Sequence, residues 1–177
     1  MFLQRLLRPG PARAAGERLY AATVAQARQP ALYATMGAPD TPNGRFEIYT
    51  LHVHLLLERL REEGPAAAPV AQAYFDAYLS GLDHGLRELA VGDLSVGKTM
   101  RKLGEAFYGR GQALQAVLAR LPDRTELAAL VGRTVFDKAE GADPAPLTDY
   151  LVAAREMLGA EAGERLLAGQ IDWPALG

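Results

Sequence analysis

Leu19, Tyr20, Thr23, Val24 and Ala27 recur between Glu17 and Gln29 at the three-and-four spacing of one helical face, and Pro30 closes the run. Residues 29–44 then gather Pro30, Gly37, Pro39, Pro42 and Gly44. That density suits neither a helix nor a central strand, so a long ordered connection is expected there. Thr41 is a natural N-cap, Pro42 fits the first helical position and Gly64-Pro65 is a stop, which predicts a second helix ending at Glu63. Within it Phe46, Tyr49, Val53, Leu56, Leu57 and Leu60 share one side while Ile48, Leu51 and Leu55 occupy the other. A helix apolar nearly all round belongs at the centre of a bundle.

Tyr74, Phe75, Tyr78, Leu82, Leu86 and Leu89 mark a third helix between Val70 and Leu89, with Asp76, Ser80, Asp83 and Arg87 opposite. After Val91-Gly92-Asp93, Ser95 is the expected cap of a fourth helix that turns Val96, Met100, Leu103 and Phe107 inward. Gly109 and Gly111 predict a kink or short loop before Leu114, Val117, Leu118 and Leu121 resume the pattern up to Pro122. Asp123 and Glu126 read as a capping box ahead of Leu127, Leu130, Val131 and Val135. Beyond the linker 141–146, Leu147, Leu151, Ala154 and Leu158 mark the last long helix, and a short one follows near Leu166. No stretch alternates with period two for long enough to be a strand. The expected fold is all-α, a single irregular bundle of about six to eight helices.

The first residues form a different pattern. Phe2, Leu3, Leu6 and Leu7 share one helical face and Arg5 and Arg8 the other, and through Arg18 four arginines against Glu17 give a charge of +3. An acid-free amphipathic start of this kind fits a membrane-surface anchor or an organelle transit peptide, and equally a terminal turn docked on the bundle. The chain therefore divides into a basic amphipathic segment, 1–16, and a helical domain, 17–177. Phe2, Leu3, Arg5, Leu6, Leu7 and Arg8 are its candidate contacts with an anionic membrane surface.

Composition narrows the chemistry. With 177 residues, 49% hydrophobic and 23% charged, the chain has the make-up of one globular domain. A net charge of −2 provides no global field for a nucleic-acid backbone, so no specific nucleic-acid partner is expected. The absence of cysteine removes disulfides, thiolate metal sites and thiol nucleophiles. The longest strongly apolar stretch, Ile48–Leu57, is broken by two histidines and is far shorter than the roughly 20 residues of a membrane-spanning helix.

Gly92 to Thr99 fits the phosphate-loop expression letter by letter, with Lys98 as its lysine. A true phosphate loop is delivered by a buried strand, whereas Leu86 to Ala90 is helical in pattern and no α/β alternation exists. The match is expected to be an interhelical turn, not a nucleotide site. His52 and His54 are turned roughly 200° apart on a helix and cannot share a metal. Asp83 with Arg87 and His84 with Glu88 have the spacing of ordinary helical pairs, and no second Glu-x-x-His segment supplies a dimetal site. Lys98, Arg101 and Lys102 form a basic face suited to solvent, phosphate, lipid headgroups or an acidic partner. Asp83, Arg87, Glu88, Asp93, Lys98, Arg101 and Lys102 together surround one interhelical turn, are too polar for a core, and form the candidate partner-binding surface.

Val24-Ala25-Gln26-Ala27-Arg28-Gln29-Pro30 with Tyr33, Pro39-Asp40-Thr41, Gly44-Arg45-Phe46-Glu47 and Leu51-His52 resemble the ubiquinol-cytochrome c chaperone family. Phe75-Asp76, Asp83, Leu86-Arg87-Glu88, Val91-Gly92-Asp93-Leu94, Val96, Lys98, Met100, Lys102 and Phe107-Tyr108-Gly109-Arg110 follow the same family's pattern in order. The resemblance spans about residues 18–140 and fades toward the C-terminus. Ala90 departs from it, where Gly is common, as does Thr134, where Asn is frequent. It implies a non-catalytic assembly factor for the cytochrome bc1 complex that engages newly made cytochrome b and needs no cofactor. It also implies a small assembly partner or the ribosome as further contacts, and a cytoplasmic location peripheral to the inner membrane in a bacterium, or the matrix side in a eukaryote. The richness in Ala, Gly and Arg points to a bacterium. The competing classes are a phosphate-loop or bundle-metal enzyme and a lipid-surface adaptor.

Overall fold

The computed structural model describes residues 10–88, 93–137 and 139–176. Its order is α1 (Pro11–Ala27), α2 (Pro30–Ala34), α3 (Pro42–Glu62), a 3-10 turn (Gly64–Ala67), α4 (Ala68–Glu88), α5 (Asp93–Leu118), α6 (Thr125–Thr134), α7 (Ala145–Ala160) and α8 (Gly163–Leu167). No strand occurs among the described residues, in agreement with the expected all-α bundle.

The centre is α3. Thr41 Oγ1 accepts the Gly44 amide at 3.1 Å and Pro42 occupies the first turn, as the sequence requires. Ile48, Leu51 and Leu55 are as buried as Leu56 and Leu60 on the other side, because α1, α4, α5 and α7 pack around this helix. The apolar excess on α3 is therefore core. Arg59 ties α3 to the end of α7 by donating to the carbonyls of Leu158 and Glu161 at 2.9 and 2.8 Å. A cation at the exposed carbonyls of a helix C-terminus is favourably placed.

Several boundaries differ from the sequence reading. The first helix begins at Pro11, six residues before Glu17, with Pro in its first turn and Ala15 and Gly16 buried. Residues 11–16 thus belong to the packed bundle, although they lack the large apolar side chains that reveal a helix by periodicity. Pro30 opens the short helix α2 inside the expected connection, where its fixed φ suits a first helical position. Helix α5 starts at Asp93, ahead of Ser95, and continues without a break through Gly109 and Gly111. A Cβ on Gly111 would lie 2.6 Å from the His54 ring, so this glycine admits a side chain from α3. The proposed capping box does not form. Asp123 accepts the Thr125 amide at 2.9 Å, and Glu126 pairs with Arg120 instead.

A polar network closes the C-terminal end over the core. The Ile48 carbonyl accepts from His52 Nδ1 at 2.7 Å, so Nε2 is the acceptor for the Tyr150 hydroxyl at 2.6 Å. Gln26 Nε2 donates to Tyr150 Oη and to the Pro174 carbonyl, both at 3.0 Å, and Trp173 stands edge-on to His52 at 5.1 Å. His54 donates from Nε2 to the Phe107 carbonyl at 3.0 Å and stacks on the Phe107 ring at 4.0 Å.

Burial lowers both imidazoles from 6.5 to about 4, while their bonds to carbonyls oppose the shift. A base that titrates lower when folded binds its proton preferentially in the unfolded chain. Stability is therefore full above the unfolded value and falls as pH drops from 6.5 toward 4, by up to about 2 kcal/mol per imidazole at pH 5. Urea midpoints at pH 7 and pH 5 measure this loss, and His52→Gln with His54→Asn should flatten it. An unchanged slope in that double variant overturns the assignment.

Candidate functional site

A groove of about 830 Å³ lies at the meeting of α1, α2, α3, α4 and the start of α5. Its wall is mainly apolar and aromatic, with Tyr20 and Val24 from α1, Tyr33 from α2, Phe46 and Tyr49 from α3, Leu82 and Leu86 from α4, and Leu103 from α5. Tyr33 donates to the Ala27 carbonyl at 2.7 Å and lies under the Arg45 guanidinium at 5.6 Å. Arg45 also pairs with Asp40, which holds that carboxyl below its ordinary range. Deeper in the wall Tyr49 stands edge-on to Tyr20, and burial pushes its phenol well above the usual tyrosine range.

A second hollow of about 600 Å³ lies between α3, α4 and α5, lined by Leu57, Phe75, Phe107 and Tyr108 among others. Tyr108 is 67% exposed beside it. Between the two concavities the rings of Tyr49, Tyr78, Phe107 and His54 follow one another at 5.0, 5.1 and 4.0 Å. Offset and edge-on contacts of this kind add to the burial energy and stiffen the wall that the two hollows share.

Glu47 and Arg110 form an ion pair between helices in which the carboxylate is buried. Arg110 Nε and Nη2 each donate to one Glu47 carboxylate oxygen at 2.9 Å, and the Glu47 side chain is only 4% exposed. The pair joins α3 to α5 across 63 positions of sequence. Hydrogen bonding to Glu47 raises the Arg110 pKa. Both residues stand in segments that carry the family resemblance, yet nothing in the sequence pattern singled them out.

The candidate partner surface is divided by the fold. Glu88 lines the groove with Leu82 and Leu86, but Asp83 and Arg87 follow those leucines by one position and are turned about 100° around α4. Asp83 is held by Arg87 at 2.8 Å and His84 by Glu88 at 3.2 Å, the helical pairs that the spacing predicts. The Arg87 bond lowers the Asp83 pKa. On α5, Lys98, Arg101 and Lys102 are exposed, and Arg101 meets Glu105 at 3.3 Å. The side chain of Asp93 and the candidate membrane contacts Phe2, Leu3, Arg5, Leu6, Leu7 and Arg8 lie outside the described residues. The sequence reading missed the groove-lining Tyr20, Tyr33 and Arg45. It assigned Phe46 and Tyr49 to the core, whereas both are only half buried.

Gly97, Lys98 and Thr99 lie inside α5, where backbone amides beyond the first turn bond along the helix and cannot cradle a phosphate. Among the described residues no group of three or more His, Asp or Glu side chains is arranged to hold a metal ion. No described helix is long and apolar enough to cross a membrane.

Residues 34–173 match the ubiquinol-cytochrome C chaperone family. The match starts later than the expected residue 18 and extends well beyond 140, through the C-terminal helices to the tryptophan that packs on His52. A search of the curated proteins returned no match. Among solved structures, the crystal structure of the Cbp3 homolog from Brucella abortus is similar, with 38% identity, 99% of this chain and 98% of that chain covered, and a TM-score of 0.85. A family match over most of the chain and a likeness of this extent place the sequence firmly: the chain belongs to the ubiquinol-cytochrome c chaperone family.

Proposed function

We propose that this chain is a non-catalytic assembly chaperone of the cytochrome bc1 complex and that its client is newly made cytochrome b. The observation that carries the reading is the family match over residues 34–173. The helix-only fold supports it in a second way. Asp93 to Thr99 of the segment that imitates a phosphate loop are built into α5, which argues against the nucleotide-binding alternative. The protein acts at the cytoplasmic face of a bacterial inner membrane, where residues 1–9 add an apolar and basic contact to anionic lipid. A client with membrane-spanning segments requires a holder that covers apolar surface before insertion, and an apolar groove bounded by charge is suited to that task.

In a host that depends on the bc1 complex, deleting the gene should lower the haem b absorbance of membranes and the rate of ubiquinol oxidation together. Both should return when the gene is restored. Intact haem b spectra and intact ubiquinol oxidation in a clean deletion overturn the reading.

A further inference from the structure

We infer that the 830 Å³ groove seats an apolar helical segment of a protein partner whose flank is acidic. The inference names the chemistry of the segment that the proposed chaperone holds, and it rests on that reading. The shape comes first. Leu82 and Leu86 on α4, and Thr99 and Leu103 on α5, are two rows of four-residue spacing that face one concavity. Such rows leave a channel that the side-chain ridge of another helix fills. Among the described residues Leu82, Leu86 and Leu103 are covered by nothing more than partial packing.

The charges then select the occupant. Of the charged groups that line the groove, Asp40 is neutralised by Arg45, whereas Glu88 has only His84 beside it and no Lys or Arg among the described residues. Arg28 lines the same groove and makes no ion pair among the described residues. Lys98 and Lys102 each precede a lining residue, Thr99 and Leu103, by one position on α5, as Asp83 and Arg87 follow Leu82 and Leu86 on α4. At this offset of about 100° Asp83 and Arg87 pair with each other, while the two lysines have no ion-pair partner among the described residues. Three cations without an ion-pair partner among the described residues, Arg28, Lys98 and Lys102, outnumber one anion, Glu88, around an apolar channel. An acidic flank is attracted there and a basic one repelled.

Gly85 supplies a clean test. It lines the groove, and a Cβ built on it meets nothing within 4 Å, so a side chain can start there without a clash at its base. Gly85→Trp should melt no lower than the parent, because a helical glycine is replaced. The probes are two labelled 20-residue helical peptides with the same leucine face, one flanked by three glutamates and the other by three lysines, titrated into the full chain by fluorescence anisotropy. The glutamate-flanked peptide should bind about tenfold tighter at low salt. Gly85→Trp should weaken it about tenfold, Lys98→Glu with Lys102→Glu should erase the preference, and Gly109→Trp, outside the groove, should change nothing.

Equal binding of the two peptides overturns the inference, as does full binding by Gly85→Trp. It is likewise overturned by capture of phosphatidylglycerol vesicles that Gly85→Trp blocks while neither peptide binds. In the host the two claims separate. Normal haem b spectra with Gly85→Trp, against depleted spectra on gene deletion, reject the groove and keep the chaperone. Selective peptide binding, with normal spectra on deletion, rejects the chaperone and keeps the groove.

Discussion

Arg110→Met should destabilise the protein by about 3 kcal/mol, because it leaves a buried carboxylate with no cation. Both Glu47 oxygens are engaged by the guanidinium at 2.9 Å, and the Glu47 side chain is 4% exposed, so water replaces almost none of what the arginine provides. The Arg110 side chain is 35% exposed, which places the loss at the lower end of the range for a broken buried pair. Arg110→Lys should retain part of the stability, since a point charge restores attraction but not the two parallel bonds. The informative variant is the double one. Glu47→Leu with Arg110→Met removes both charges from the interface between α3 and α5 and should recover most of the loss. Urea denaturation of the parent, Glu47→Leu, Arg110→Met and the double variant closes the cycle. A double variant as unstable as Arg110→Met alone shows that the pair acts through packing and not through charge.

The pair also marks where sequence reasoning reaches its limit. A Thr cap, a first-turn Pro and a Gly-Pro stop are local signals, and they located α3 within a residue of its observed ends. The crowding of leucines on that helix likewise gave its central position, since only a surrounded helix can bury two opposite faces. Glu47 and Arg110 carry no such signal: each reads as an ordinary surface charge, and only the approach of α3 to α5 brings them together. The same holds for the groove. Phe46 and Tyr49 have core periodicity, but whether a neighbouring helix covers them depends on the packing of α1, α4 and α5. The charged cluster at the α4–α5 turn was legible as polar, while the direction of each charge was not. Asp83 and Glu88 are five positions apart and face different surroundings. The start of α1 escaped for the opposite reason, because small residues that pack tightly leave no periodic trace.

That tight packing predicts the other large effect. Gly16→Val should destabilise the protein by about 3 kcal/mol, a fall of roughly 10 °C in melting temperature. A Cβ at this position would stand 2.6 Å from the Tyr74 amide nitrogen and 2.7 Å from the Ala73 carbonyl carbon, and backbone cannot move aside as a side chain does. Helices α1 and α4 must separate, although the crossing is pinned nearby. Tyr74 is fully buried and donates to Thr23 Oγ1 at 3.0 Å, and Thr23 donates in turn to the Leu19 carbonyl at 2.9 Å. Separation stretches that chain and opens a void beside Leu19, while the better helix propensity of valine returns only a few tenths of a kcal/mol. Gly85→Ala is the matched control, also within a helix but with open space before it, and it should gain up to about 1 kcal/mol. Opposite signs for the two substitutions identify helix approach, not glycine itself, as the cause. The consequence extends to binding, because Tyr20 and Val24 on α1 and Leu82 and Leu86 on α4 carry the same two helices onward into the groove. Gly16→Val, assayed well below its melting temperature, should therefore widen the channel and weaken the glutamate-flanked peptide. Unchanged affinity in a destabilised Gly16→Val protein shows that the groove keeps its width independently of the crossing.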